Sequence, residues 1–355
     1  MERADVLIVG GGPAGSACAR VLASAGRDVL IVDAAAFPRD KPCGGWITPE
    51  VLEEIPFSIA SYAKDHVAQP ISRFRVGRID GRAVDVDYGE PVSYGIRRSE
   101  FDERLLRSSG ARVIEGRRVQ TIERRDGDWV LDGAFAAPML VGAGGHFCPV
   151  ARHVGGEDGR PVVVAQEIEF RLSGKDAADC PIEQERPELY FCADLKGYGW
   201  CFRKDDYLNI GLGRLDPVRL KTHVDAFLDF LKRERGVDPT RGAGWRGHAY
   251  ALHHGLPRRI SGDAVVLVGD AAGLAAPSSG EGILPALVSG RLAAEAILEA
   301  RPEDYAARLE ERLGPGASPR RIPDRIAGMV GAVLLAIPGF ARRVVLDRWF
   351  LHRAA

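Results

Sequence analysis

Two textures of hydrophobic patterning alternate along the chain. Val6–Val9, Asp28–Val32, Met139–Val141 and Ala264–Val268 are short, nearly uninterrupted apolar runs, the pattern of strands covered on both faces. Helical spacing follows the first of these over Ser16–Ala25 and the last over Gly282–Ala300. A further helix is predicted from Ser99, read as its N-cap, with Phe101, Leu105 and Leu106 on one face. Phe74–Val76 and Val84–Asp87 alternate around Asp80-Gly81 and predict a hairpin. Arg112–Glu115, Val119–Glu123 and Trp129–Leu131 read as strands, the last two joined across Asp126-Gly127. From Pro161 alternation dominates: Val162–Leu172, Leu189–Cys192, Tyr198–Phe202 and Tyr207–Leu212 follow with short connections and predict an antiparallel sheet. A helix over Pro217–Arg235 carries Val218, Val224, Phe227, Phe230 and Leu231 on one face.

The first strand opens onto Gly10, Gly12 and Gly15 at G-x-G-x-x-G spacing, and the second strand ends in Asp33. Glycines at those places allow a tight turn, close approach of a pyrophosphate to the backbone, and close helix–strand packing. The helix N-terminus then faces the phosphates, and an acid at the end of the second strand holds a ribose hydroxyl. Strand, glycines, helix and acid together predict dinucleotide binding, with Gly10, Gly12, Ala14, Gly15 and Asp33 against the ligand. They leave open which dinucleotide is bound.

Composition narrows the class without changing this picture. The 355 residues exceed the usual size of one domain. A formal net charge of −1, with no block of Lys and Arg, argues against nucleic acid. Cys18, Cys43, Cys148, Cys180, Cys192 and Cys201 show no C-x-x-C spacing, so neither a metal site nor a disulfide framework is expected, and a reducing cytoplasm suits them. The first strand begins within a few residues of Met1, so no signal peptide is expected, and no apolar run is long enough for a membrane span.

Further motifs carry a resemblance. Lys41-Pro42-Cys43-Gly44-Gly45 lies in a loop rich in Pro and Gly, Tyr198-Gly199-Trp200-Cys201-Phe202 alternates on a strand, and Val268–Gly273 precedes Pro277 and Gly280-Glu281-Gly282-Ile283. Together with Gly10–Gly15 and Asp33, these resemble the geranylgeranyl reductase family of FAD-dependent oxidoreductases, within the para-hydroxybenzoate-hydroxylase-like flavoprotein fold. The resemblance covers most of residues 4–300. It implies an α/β chain: a Rossmann-like FAD-binding domain from residues 1–70, 95–155 and 255–300, an inserted antiparallel substrate domain from 71–94 and 156–254, and a helical segment over 301–355.

The resemblance also implies roles for residues. Asp270 would accept hydrogen bonds from the ribityl and phosphate region, and Gly280, Gly282 and Ile283 would open a helix toward the pyrimidine edge of the flavin. Arg98 would reach the phosphates and ribityl, Val119 would meet adenine through its backbone, and the Cys43–Gly44 loop would lie beside the flavin. Cys43 then either shapes the cavity or donates a proton during alkene reduction. Tyr198, Trp200 and Phe202 share one face of their strand, which is either packed into a core or forms an apolar wall for a prenyl substrate. Cys43, Tyr198 and Trp200 are the residues expected at the chemistry.

The implied activity is reduction of C=C bonds in a prenyl or similarly apolar small molecule, the hydride coming from flavin N5. A flavin monooxygenase of an aromatic substrate and a non-catalytic flavin- or lipid-binding protein are the alternatives. No W-x-W-x-I-P stretch is present, which disfavours halogenation. Gly211-Leu212-Gly213 lacks a third glycine, so electrons are expected from NAD(P)H without a dedicated domain or from a protein donor. Arg203-Lys204 stands where many members of that family carry Pro, which could suit a polar or anionic head group. The apolar tail Ile322–His352, with Met329, Val330, Val333, Leu334 and Leu335 ahead of Pro338-Gly339 and Arg342-Arg343, reads either as helices covering the substrate domain or as a peripheral membrane contact. The chain is expected to be a monomer or weak dimer.

Overall fold

The structure is a computed structural model that describes residues 1–155, 161–238, 244–256, 260–314, 316 and 324–353, with the backbone alone described over 324–329. Val6–Val9 and Val29–Val32 are buried at every position and pair in parallel at the centre of a six-stranded sheet. Met139–Gly142 extends the sheet on one side of Val6–Val9 and is followed by Val265–Leu267, while Arg112–Ile114 flanks Val29–Val32 on the other. A strand so distant in sequence can join because continuous β-branched runs tolerate burial on both faces.

Two helices pack tightly over this sheet. The first runs Pro13–Ser24, starting earlier than Ser16 because Pro fits the first helical turn and Gly12 supplies the extended N-cap. The second is Ile283–Leu298, with Gly282 as its N-cap. Their contact relies on missing side chains: a Cβ on Gly290 would lie 2.2 Å from the Ala14 carbonyl oxygen.

The second large sheet has seven strands in the order 246–251, 162–171, 207–214, 197–204, 188–191, 73–78, 83–87. Its central strands pair antiparallel, while Glu188–Phe191 meets Arg73–Arg78 in parallel, so the hairpin around Asp80-Gly81 is part of this sheet. Both faces are covered. Ile168, Tyr190, Cys201 and Ile210 pack under the helix Leu220–Arg235 through Phe227, Phe230 and Leu231. On the opposite face Leu189, Trp200 and Phe202 form a core with Phe74, Val345, Leu346 and Phe350. A small sheet of Trp46–Ile47, Ser93–Ile96 and Ala68–Ile71 also forms.

Several local expectations differ from what is observed. Arg97, not Ser99, caps the helix Arg98–Arg107, so the chain is helical one residue before the expected cap. The strand expected from Val119 begins at Ile122, because the Gln120 and Thr121 N–H groups donate to the Asp132 carboxylate instead of a neighbouring strand. Val218 precedes its helix and is exposed. In the tail, Asp324–Leu335 is helical and Ala341–Phe350 forms a wider, π-helical segment. The side chain of Met329 lies outside the described residues. Among the described residues no helix is long and apolar enough to cross a membrane.

The helix contact generates a test. Gly290→Leu is expected to lower stability by roughly 1–3 kcal/mol, the usual cost of forcing extra atoms into a closed contact. Urea denaturation should show it as a lower midpoint with an unchanged slope.

Candidate active site

The glycine turn is built around one carbonyl. Gly10 has φ +110°, and a Cβ there would lie 2.4 Å from the Ala143 carbonyl oxygen. Gly15 stands directly over this turn, where a Cβ would come within 1.9 Å of the Gly10 oxygen. The first turn of Pro13–Ser24 has no side-chain cap, so its N–H groups remain available at the positive end of the helix. Asp33 stabilises the turn from the side, accepting from the Gly11 N–H at 2.6 Å and the Ala35 N–H at 2.8 Å. Each carboxylate oxygen keeps a second lone pair for a ribose hydroxyl.

The loop bearing Cys43 crosses from this region to the seven-stranded sheet, which fastens it at successive peptide groups. Glu167 Oε2 accepts from the Cys43 N–H. Asn209 Nδ2 donates to the Cys43 carbonyl at 3.1 Å, and Lys204 Nζ donates to the Gly44 carbonyl at 3.0 Å. Lys204 is 1% exposed and also pairs with Glu169 at 2.6 Å. Burial opposes charge on Glu169, but Lys204 outweighs it and holds that carboxyl below its usual range. Lys204 is therefore committed to the loop, which removes it as an anionic head-group ligand.

One cavity of about 670 Å³ is lined by Gly10, Gly12, Ala14, Asp33, Arg98, Val119, Asp270, Gly280, Gly282 and Ile283 at one part and by Cys43, Gly44, Tyr198, Trp200 and Phe202 at another. The sequence-predicted residues are thus brought together, apart from Gly15. Gly15 does not line the cavity; its missing side chain allows the helix to settle on Gly10. Arg98 lines it while its guanidinium grips Asp102 by two bonds of 2.8 and 2.7 Å, both side chains being buried.

Asp270 sits beside Lys41 and His248, at 3.5 and 3.6 Å. Burial opposes its charge, but Lys41 and His248 prevail and keep it well below the usual carboxylate range. Lys41 Nζ lies 2.7 Å from His248 Nε2. Burial lowers the pKa of both Lys41 and His248, while Asp270 opposes that shift in each.

The aromatic wall depends on a glycine. Trp200 faces Gly211 across the sheet, and a Cβ on Gly211 would fall 2.2 Å from the indole ring. Gly211 and Gly213 are strand residues beneath the indole, not a nucleotide turn. The Trp200 Nε1–H donates to Asn209 at 2.7 Å, and the Tyr198 hydroxyl donates to the Ser279 carbonyl at 2.5 Å. Burial pushes the Tyr198 phenol well above its usual value, so both polar tips are committed to structure.

Sequence reasoning missed several lining residues. Trp46 stacks on Phe350 with centroids 5.2 Å apart, and Phe350 meets Tyr198 edge-on at 5.4 Å. Glu167 also lines the cavity, as do His248 and Tyr250. Phe350 comes from the π-helical segment, whose last residues are tied back by Ser278 to the Trp349 carbonyl and by His352 to Glu281 at 2.6 Å.

A family described as FAD binding domain matches residues 3–130. A menaquinone reductase of Mycobacterium tuberculosis is 33% identical over 373 aligned residues, covering 96% of this chain and 86% of that protein. The chain belongs to the geranylgeranyl reductase family of FAD-dependent oxidoreductases. A geranylgeranyl diphosphate reductase of Rhodobacter capsulatus is 32% identical, with 83% of this chain and 75% of that protein covered. In fold, the chain is similar to a geranylgeranyl bacteriochlorophyll reductase-like protein of Thermoplasma acidophilum, with a TM-score of 0.73, 22% identity, and coverage of 95% and 88%. The protein is an FAD-dependent oxidoreductase with a Rossmann-like flavoprotein architecture. The open helix N-terminus, the cradle at Gly10 and Gly12, and Asp33 are a donor and acceptor set that fits the diphosphate and ribose of FAD.

The loop clamp generates a second test. Lys204→Met leaves Glu169 largely buried without its ammonium partner, and stability is expected to fall by about 3 kcal/mol or more. Guanidinium denaturation checks this. Unchanged stability would mean that the Lys204 contacts contribute nothing to holding the loop.

Proposed function

We propose that the protein saturates a carbon–carbon double bond in the prenyl chain of an apolar small molecule. The observation that carries this reading is the cavity wall of Trp46, Tyr198, Trp200, Phe202 and Phe350, which offers apolar faces while the polar tips of Tyr198 and Trp200 are hydrogen-bonded within the protein. The relatives' names support it, since menaquinone and geranylgeranyl diphosphate both contain an isoprenoid chain. Gly10, Gly12, Ala14 and Asp33 hold the adenosine diphosphate half of the cofactor, with Val119 near the adenine. Arg98, Asp270, Gly280, Gly282 and Ile283 hold the half that bears the flavin, and Cys43 and Gly44 border its ring. When bound and reduced, the flavin supplies a hydride. The wall orients the chain and excludes water, and the Cys43 loop sets how closely the chain approaches. Reducing equivalents come from NAD(P)H or from a protein donor.

The test is anaerobic incubation of the reduced holoprotein with a prenylated quinone and, separately, with geranylgeranyl diphosphate. A mass gain of two hydrogens in either is expected. Oxygen-dependent hydroxylation of an aromatic compound, with no gain under anaerobic conditions, would replace this reading with a monooxygenase.

We further propose that the tail meets a membrane surface from which the substrate enters. Val330, Val333 and Ile337 are exposed on and after the helix Asp324–Leu335, and Arg342 and Arg343 are exposed beside them. Such a pairing suits an anionic interface. The protein is expected to sediment with anionic liposomes and to be released by high salt; failure to sediment removes the membrane contact.

A further inference from the structure

Reducing a double bond requires a proton as well as a hydride, and the obvious donors on the aromatic wall are engaged elsewhere. Glu167 stands on the cavity face of Val162–Arg171 and is 6% exposed. Its Oε2 accepts from the Cys43 N–H, and among the described residues Oε1 has no hydrogen-bond partner. Its strand position places it opposite Gly211, the residue over which the Trp200 indole lies. A carboxyl is thus buried in the cavity wall, next to the Cys43 loop and the aromatic wall, with one oxygen uncommitted.

We propose that Glu167 is the proton donor of the reaction, releasing the proton from Oε1 to the alkene carbon that does not receive hydride. This rests on the reading that the protein reduces a carbon–carbon double bond. The hydride brings two electrons and one hydrogen to the first carbon. The π pair forms the second C–H bond with the proton from Glu167, and the O–H pair stays behind on the carboxylate. Solvent reprotonates the carboxylate, and an external two-electron reductant of the nicotinamide or protein class restores the flavin.

The charged and titratable surroundings favour a carboxyl that keeps its proton near neutrality. Glu169 is two residues along the same face. Lys204 reaches in from the neighbouring strands, Arg98 from its helix and Cys43 from the loop. Across the sheet edge Arg246 faces Glu167 and is drawn off by Asp40, while His248 faces Ala165. Lys204 is occupied by Glu169, and Arg98 by Asp102. Burial, reinforced by Glu169 and opposed by Lys204, pushes the Glu167 carboxyl up to about 7. The acid form is therefore present below that pH and lost above it, the behaviour of a general acid matched to neutral conditions.

Glu167→Gln in the FAD-loaded protein tests the proposal. Bound-flavin absorbance and the rate of flavin reduction are expected to be unchanged, while reoxidation by the alkene falls by about 100-fold or more. The wild-type rate is expected to decline as pH rises through about 7, and the Gln variant to lose that limb. Glu167→Asp, which keeps the acid, should recover part of the rate together with the limb. Infrared titration gives a readout independent of turnover: a protonated-carboxyl band near neutrality, present in the wild type and missing in the Gln variant. Wild-type reoxidation rates with the same pH limb in the Gln variant would overturn the proposal, as would absence of the band. A wild-type protein that shows the band yet transfers no hydrogen to any prenyl substrate would instead sink the reading of the reaction, leaving the protonated carboxyl established.

Discussion

Cys43 and Gly44 reach the cavity on a loop with little regular structure, and side chains from another sheet hold it in place. The Glu167 carboxyl takes the Cys43 N–H, Asn209 holds the Cys43 carbonyl, and Lys204 holds the Gly44 carbonyl. These groups are buried or nearly so, and a buried polar group is costly to leave unpaired. The loop cannot shift without abandoning several such partners together. It is this constraint that joins the six-stranded sheet to the seven-stranded sheet across one shared cavity.

The same economy of space governs the nucleotide half. Gly15 rests on the Gly10 carbonyl, and Gly290 rests on the Ala14 carbonyl, so the glycine turn is gripped by the helix that follows it and by one nearly the whole chain away. That second helix begins at Ile283, beside Asp270. The residues proposed to surround the diphosphate and those proposed to surround the flavin are therefore set relative to each other by backbone contact, which is stiffer than any pair of long side chains. The tail completes the enclosure, placing Phe350 against Trp46 and Tyr198.

Much of this was legible in the sequence, and the failures have physical causes. Continuous apolar runs marked the parallel strands, including the late one at Val265–Leu267, because burial on both faces leaves no polar position in the pattern. Dinucleotide binding was legible from glycines and an acid whose spacing is dictated by the ligand, and the FAD family only once Lys41–Gly45, Tyr198–Phe202 and Val268–Ile283 were added. Glu167 was not legible. Glu167, Glu169 and Arg171 alternate with Ile168 and Phe170, as they would on a half-solvated strand, and only the tertiary structure shows that the Glu face lies under a loop. Lys204 was misread for the same reason: a charge after an aromatic strand looks like a ligand for solvent or substrate until its three carbonyl and carboxylate partners are seen. Gly211 and Gly213 lack the third glycine of a nucleotide turn, but nothing in the pattern showed that Gly211 makes room for the Trp200 indole. Trp46 and Phe350 carried no periodicity that separates a cavity wall from a core.

The most direct measurement of the central claim is a crystal structure of the FAD-loaded protein with a saturated prenyl analogue of the substrate. The account expects the flavin ring against Cys43 and Gly44, the prenyl chain between that ring and the aromatic wall, and the Glu167 carboxyl within hydrogen-bonding reach of the carbons that the reaction saturates. A chain bound outside the cavity, or a Cys43 loop released from Glu167, Asn209 and Lys204 once the flavin is in place, would contradict it.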